Sequence, residues 1–419
     1  MQQIKSLDMF FGEELVGTIH DTSPIAFEYS PQWLGRSEPL PVAAIALQSE
    51  RNNSADVQGF FEKLLPEGEL RQYVAEQNKA STVFSMLLAV AGDTAGGFVI
   101  LPHGKRPVRA TYEATTWELL ASYLSKKNAA AIDLKGRRAR ISLAGAQDKA
   151  AIAVFDDGIP RLPEGSSPST HILKPDIKRL AKVWHSAANE TIIMKTAALC
   201  GLPTAEVFYE RHTNACIVRR VDRIAKPDGS LGRVIQYDLC QLAGIVSDKK
   251  YESEGGPGIA ACAELIRTYS TQAAVDLRHL IRWLVFNLYV GNNDSHAKNL
   301  SVYRLPGKGV TLTPFYDLMC TRIYSGLSGR FAFAIGGETK PGSITAEHFG
   351  KMAQELRMRP QFVVNEAVAL ANRIGEAIDQ AVESVAPSLP SGARALAARV
   401  RQFVKSNTKK TAARFTAAP

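Results

Sequence analysis

The chain has 419 residues, 45% of them hydrophobic and 22% charged, proportions that fit a folded globular protein and exclude a disordered or fibrous one. That length admits two or three domains and a sizeable core. The net charge of +9 invites a nucleic-acid reading, yet no acid occurs from Ser384 onward while Arg394, Arg399, Arg401, Lys405, Lys409, Lys410 and Arg414 supply seven positive charges. The rest of the chain therefore carries only about +2. The basic tail reads as a solvated terminus, with contact to nucleic acid or an acidic partner as its alternative.

The opening stretch "MQQIKSLDMFFGEELVG" has no apolar run that could act as a leader. No segment approaches the ~18 to 20 apolar residues that cross a bilayer. Residues 277–290 come nearest and are broken by Arg278, His279, Arg282 and Asn287. Cys200, Cys216, Cys240, Cys262 and Cys320 form no CxxC pair, so neither a zinc site nor a disulfide framework is indicated. Isolated thiols fit a reducing cytoplasm.

Residues 1–102 alternate short apolar strands with turns and include one helical block, "GFFEKLLPEGELRQYVAEQ". Prolines and basic residues in "LPHGKRPVRATYEAT" mark a boundary. Thr115 with Glu118 makes a capping box that opens a helix over "TTWELLASYLSKK". A basic cluster, Lys126 to Arg140, leads into "RISLAGAQDKAAIAVF", read as strand, glycine turn and strand. "STHILKPD" is a short strand stopped by Pro175, and "SAANETIIMKTAALCGLP" is a helix that ends at Gly201 and Pro203. "ACIVRRVDR" and "RVIQYDLC" are strands. After about residue 258 helical spacing takes over. Leu277, Leu280, Ile281, Leu284 and Leu288 share one face, as do Val363, Ala367, Leu370 and Ile374 after Pro360. A β-rich part followed by an α-rich part predicts an α+β protein with a cleft between them.

The chemistry concentrates in "VGNNDSHAKNLSVYR", residues 290–304. Asp294 stands five places before Asn299, the D-x-x-x-x-N spacing of phosphoryl-transfer sites. There a carboxylate orients the attacking hydroxyl and a carboxamide holds magnesium. The alternative for the same residues is an Asx turn that closes the helix ending near Val290. Asp317, in the strand-like apolar setting "LTPFYDLMC", stands where a second metal-binding carboxylate belongs. Gly145 in "SLAGAQDK" permits a turn whose N–H groups face phosphate, although a plain hairpin would read the same. Lys174 on its strand is suited to neutralise nucleotide phosphates, with Glu190 on the next helix as its partner; the alternative for Lys174 is a solvated side chain.

Taken in that order, these segments resemble the HipA-like serine/threonine kinases, the toxins of bacterial toxin–antitoxin modules, over nearly the whole chain. "FFEKLLPEG" and "AGDTAGGFVIL" resemble the family's N-terminal domain; "ISLAGAQDK", "THILKP", "KYESEGGPGIA", "NDSHAKNLSV" and "LTPFYDL" resemble its kinase part. The resemblance implies a bilobal protein-kinase-like fold: an N-terminal HipA-type domain over 1–104, a β-rich nucleotide-binding part over 105–243, an α-rich catalytic lobe over 244–404 and a basic flexible tail over 405–419. It also implies Asp294 as catalytic carboxylate, and Asn299 and Asp317 as magnesium ligands. Nucleotide-binding roles fall to the phosphate loop Leu143, Ala144, Gly145, Ala146, Gln147, Asp148 and Lys149, to Lys174, to Gln236, Tyr237 and Asp238 beside adenine, and to His296 and Lys298. Ser142 matches the autophosphorylated serine, whose modification would eject the loop and switch the enzyme off. Tyr251 to Gly258 resembles the activation loop. Arg219 and Tyr237 stand where the family often has acids.

The function implied is an ATP- and magnesium-dependent protein kinase toxin that phosphorylates a cellular protein such as an aminoacyl-tRNA synthetase. Its partner would be a small helix-turn-helix antitoxin (HipB-like) that carries most of the operator DNA contact. Two other readings keep the fold: a small-molecule kinase, and a non-enzymatic nucleotide-binding scaffold in a repressor complex.

Overall fold

A computed structural model of the chain describes residues 4–90, 92–124, 133–134, 137–138, 149–178, 180–245 and 249–416. It begins with strands β1 (Ser6–Phe11), β2 (Glu14–His20) and β3 (Ala26–Tyr29). Helix α1 (Pro31–Leu34) starts where the Ser30 side chain accepts from Trp33 N and Pro31 takes the first turn, where a missing N–H costs nothing. The expected single helical block is two helices, α2 (Ala55–Lys63) and α3 (Gly68–Asn78). Pro66 lies between them, and a proline inside a helix removes a hydrogen bond and clashes with the preceding turn. Next come α4 (Val83–Val90), β4 (Phe98–Pro102), β5 (Tyr112–Ala114) and α5 (Trp117–Leu124). The cap of α5 is Thr116, whose Oγ1 accepts from Leu119 N at 3.1 Å. The expected cap, Thr115, is buried and its hydroxyl has no partner among the described residues.

The short pair β6 (Asp133–Leu134) and β7 (Arg137–Arg138) precedes β8 (Ala150–Val154), β9 (Pro160–Pro163) and β10 (His171–Pro175). Helix α6 (Ser186–Leu199) leads to β11 (Val207–Glu210), β12 (Ala215–Arg219), β13 (Arg223–Ala225), β14 (Leu231–Arg233) and β15 (Gln236–Asp238). The strand expected over "RVIQYDLC" stops early. Asp238 accepts from Gln241 N at 2.7 Å while Gln241 Oε1 accepts from Asp238 N at 2.9 Å, a capping box that starts α7 (Leu239–Leu242). Then follow α8 (Ile259–Tyr269), α9 (Ala273–Val290), the hairpin β16 (Ser301–Leu305) and β17 (Gly309–Leu312), α10 (Ala346–Glu355), α11 (Pro360–Val385) and α12 (Ser391–Thr416).

The expectation of a flexible tail from residue 405 is corrected, because α12 continues to Thr416. Val400, Val404, Thr408, Thr411 and Phe415 recur every three or four residues and are all buried. Asn407 Nδ2 donates to Leu288 O and Tyr289 O at 3.0 and 2.7 Å. The apolar face decides the state of this segment and the charges do not.

Contacts gather the chain into two units, Met1–Lys174 with Arg220–Asp248, and Pro175–Arg219 with Lys249–Pro419. The division is interleaved, unlike the consecutive segments expected, because α6 packs against α11 and α12 and so joins the helical unit. In the first unit β3-β2-β1-β4 form an antiparallel sheet. Its buried face joins Phe60 and Phe61 of α2 and Leu87 of α4 in one core. Truncating the fully buried Phe61 to alanine costs about 3–5 kcal/mol. In the second unit α9 buries Leu277, Leu280, Ile281, Leu284 and Leu288, and α11 buries Val363, Ala367, Leu370 and Ile374, as their spacing requires. Among the described residues no helix is long and apolar enough to cross a membrane.

Candidate active site

Helix α9 ends because Gly291 takes φ +73, a left-handed conformation natural to glycine. A Cβ at Gly291 would meet the Phe403 ring at 2.6 Å, so the turn has room for no other residue without repacking. Each polar residue after the turn then has a defined task. Asn292 donates to Asn287 Oδ1 at 2.8 Å and accepts from Asp294 N at 3.2 Å. Asn293 donates through its side chain to Ser328 O at 2.9 Å, and its N–H to Thr321 Oγ1 at 2.8 Å. The Asp294 carbonyl receives His296 N at 3.1 Å and Asn299 Nδ2 at 3.2 Å. Asn292, Asn293, Ser295, His296 and Asn299 are buried, whereas Asp294 is exposed. An Asx turn is present, but at Asn292 and not at Asp294 or Asn299, for which it was weighed above, and its effect is to hold Asp294 at the surface on a fixed backbone.

Asp317 occupies a left-handed position, φ +61, which is uncommon for a residue with a Cβ, tolerated best by Asn and Asp, and concentrated at functional sites. The strand setting expected for it is corrected. Strand β17 stops at Leu312, Pro314 has no N–H to continue a ladder, and the pairing that remains is an isolated bridge of Phe315 to Thr204. His296 lies within electrostatic range of Asp294, Asp317, Lys250 and Lys298, so the structure gathers these residues in one neighbourhood. Burial drives the His296 pKa down to about 4, with Lys250 and Lys298 adding to the fall and the two carboxylates opposing it. The imidazole is therefore neutral near pH 7. Its Nδ1 and the Asn293 Oδ1 are buried with no partner among the described residues.

Asn299 commits Nδ2 to the Asp294 carbonyl, which leaves Oδ1 as its acceptor. A carboxamide oxygen and the Asp317 carboxylate are the hard oxygen donors that suit magnesium. Among the described residues no group of three or more His, Cys, Asp or Glu side chains could hold a metal ion.

Among the other expected site residues, Lys149, Lys174 and Gln236 to Asp238 belong to the first unit. Ser142, Leu143, Ala144, Gly145, Ala146, Gln147 and Asp148 lie outside the described residues. Lys149 is half-buried just before β8. Lys174, on β10, is only 7% exposed, so the reading of it as a solvated side chain does not hold. Glu190 is buried on α6 and belongs to the second unit. Gln236, Tyr237 and Asp238 form β15. The Tyr237 ring meets Phe60 edge-on at 6.1 Å and Phe98 at 6.2 Å, and its hydroxyl donates to Pro41 O at 3.2 Å. An aromatic here, in place of an acid, thus anchors the segment to the N-terminal core. Arg219 pairs with Glu206 at 2.8 Å on the surface, 60% and 75% exposed, a contact worth under about 1 kcal/mol.

Sequence reading missed a buried charge cluster in this unit. Asp93 binds Arg223, Arg233 and Arg220 at 2.7, 3.0 and 3.1 Å, and Asp222 binds Arg220 at 2.7 Å and Arg223 at 3.0 Å. Gly96 N donates to Asp222 at 2.8 Å, and Cβ atoms on Gly96 and Gly97 would meet the backbone of Gln236 at 3.0 Å and Val234 at 2.9 Å. The segment "AGDTAGG" is thus glycine-rich because it lies against the backbone leading into β15. The charges are passed over when "ACIVRRVDR" is read simply as a strand, whereas the strand ends at Arg219.

Comparison with known proteins bears on the family and the fold. Residues 7–101 match the HipA N-terminal domain, and residues 141–386 match the HipA-like C-terminal domain. A Sinorhizobium fredii protein named as a kinase, Y4mE, is 32% identical over 410 residues, 93% of this chain and 95% of that one. The serine/threonine-protein kinase toxin HipA of Shewanella oneidensis is 27% identical over 412 residues, 91% of this chain and 90% of that one. The solved complex of the Shewanella oneidensis HipA, HipB and operator DNA contains a chain of the same fold, with TM-score 0.82 and 24% identity over 96% of this chain and 97% of that one. The fold is accordingly mixed α and β and kinase-like, and the chain belongs to the HipA-like family.

Proposed function

We propose that this protein is the toxin of a toxin–antitoxin module, a magnesium- and ATP-dependent serine/threonine protein kinase. The observation that carries the reading is the loop 292–299, whose buried side chains and main-chain bonds hold one exposed carboxylate, Asp294, beside Asn299 and Asp317. A cellular protein, such as an aminoacyl-tRNA synthetase, presents its hydroxyl to Asp294. The hydroxyl oxygen bonds to the γ-phosphorus as the bond from that phosphorus to the β–γ bridging oxygen breaks; Asp294 takes the proton and ADP leaves. Asn299 and Asp317 would hold magnesium, which when bound offsets the charge of the phosphate oxygens. Lys174, Lys149 and residues 143–148 bind the phosphates, Gln236 to Asp238 line adenine, and His296 and Lys298 shape the nucleotide's side of the loop.

A small helix-turn-helix antitoxin is the partner, and DNA is reached mainly through it. The HipA chain of similar fold was solved with HipB and operator DNA, which supports this assignment. Autophosphorylation at Ser142 is proposed to inhibit the enzyme, since about −1.5 to −2 added charge beside the phosphate loop repels the nucleotide. The test is incubation with magnesium and ATP, phosphosite mapping by mass spectrometry, and calorimetry of nucleotide binding before and after. Phosphate absent from Ser142, or unchanged affinity in the modified protein, refutes the switch. Absence of transfer to any protein, including itself, refutes the kinase reading.

A further inference from the structure

The segment "KYESEGGPG", residues 250–258, is folded against the candidate active site in a way that family resemblance to an activation loop does not explain. Tyr251 donates its hydroxyl to Asp294 Oδ1. Among the described residues it is the only side chain that hydrogen-bonds this carboxylate. Its ring meets the His296 ring edge-on, with centroids 5.2 Å apart and planes at 81°, and Lys250 Nζ lies 5.3 Å from its centroid.

The backbone around Tyr251 is built to hold it there. Glu254 N and Gly256 N both donate to the Tyr251 carbonyl, at 3.0 and 2.9 Å. Gly255 turns the chain at φ +91, and a Cβ on Gly256 would lie 2.8 Å from Lys249 O and 2.9 Å from Tyr251 O. Glu252 Oε2 accepts from Ala334 N at 2.7 Å, and a Cβ on Gly258 would strike the same carboxylate at 2.5 Å. The glycines are there because the turn closes on itself, and the acid is there to tie it to the body of its unit.

We propose that Tyr251 is a positioning residue for phosphoryl transfer: its phenol pins Asp294 Oδ1 so that Oδ2 is presented to the acceptor hydroxyl. The inference rests on the kinase reading above. A carboxylate has two oxygens, and the phenol engages one of them, so the contact orients Asp294 and leaves it able to accept a proton. Without it, an exposed aspartate rotates about χ1 and χ2, and misplacement of a reacting group by about 1 Å can cost up to about 100-fold in rate.

The test has two arms. In the first, Tyr251→Phe is compared with wild type in steady-state transfer to protein. The expected result is a kcat lower by about 10- to 100-fold, with KM for ATP and the thermal midpoint unchanged. A kcat equal to or above wild type overturns the proposal and makes Tyr251 an occupant of the acceptor position instead. In the second arm, tyrosine labelled at 13Cζ is followed by NMR in the full chain, with Tyr251 assigned from Tyr251→Phe, in wild type and Asp294→Ala. A shift of the Tyr251 signal is expected, and an unmoved signal overturns the contact whether or not any transfer is detected. Wild type that transfers nothing sinks the kinase reading itself, a result the second arm does not share.

Discussion

Replacing Asp93 by asparagine should destabilise the first unit more than most single substitutions. Asp93 accepts from three guanidiniums and from Ser169 N at 2.9 Å, and it is buried together with Arg220 and Arg223. Asparagine keeps the shape and removes the charge. Arg220, Arg223 and Arg233 would then face Asp222 alone, so the cluster's net charge rises by one unit in a region with little water to screen it. Removing one partner of a buried pair costs about 3–5 kcal/mol. For a unit of some 200 residues that lowers the thermal midpoint by roughly 10 °C. Urea unfolding monitored by circular dichroism, together with differential scanning calorimetry, would measure it. A loss below about 1 kcal/mol would refute the reasoning, because it would mean that the cluster is hydrated and its pairs behave like surface ones. The pH dependence has a definite sign. Burial raises the Asp93 pKa, but Arg223, Arg220 and Arg233 outweigh it and hold the carboxyl well below the usual range. Its contribution is therefore complete above the ordinary carboxyl pKa of about 4 and lost only as the pH falls through the depressed value in strong acid.

Asp294→Asn should keep the fold and nucleotide affinity while transfer falls by more than about 100-fold, the scale of a lost general base; near-normal turnover would remove Asp294 from the mechanism. Asp317→Ala should weaken ATP binding in magnesium more than Asp294→Asn does, and equal calorimetric affinities for wild type and variant at saturating magnesium would show that it is no metal ligand. His296, lowered from 6.5 to about 4 by burial, should make stability fall as pH drops from 6.5 towards 4, since the unfolded chain takes up the proton first. The full effect is about 3 kcal/mol. Urea unfolding of wild type and His296→Gln across that range tests it, and equal slopes would contradict the assignment.

The sequence by itself determined the features that are local or periodic. The buried faces of α9 and α11 follow from apolar spacing, because a helix buries whatever recurs every three or four residues. The stops at Gly201 and Pro203 follow from backbone chemistry at single residues. The motif from Asp294 to Asn299 was legible because so polar a run directly after an apolar helix needs a reason beyond packing. Tertiary structure decided what depends on residues far apart in the chain. Residues 405–416 are a packed helix because Val404 and Phe415 are buried, which overrides a composition that suggests a frayed end. The cap of α5 moved from Thr115 to Thr116 because the local fold buries the first hydroxyl. Asp93 meets Arg220, and Tyr251 meets Asp294, across 127 and 43 residues. No local rule foretells such pairs, because the partner that satisfies a polar group is chosen by the path of the whole chain, and burial fixes the value of that choice by excluding water.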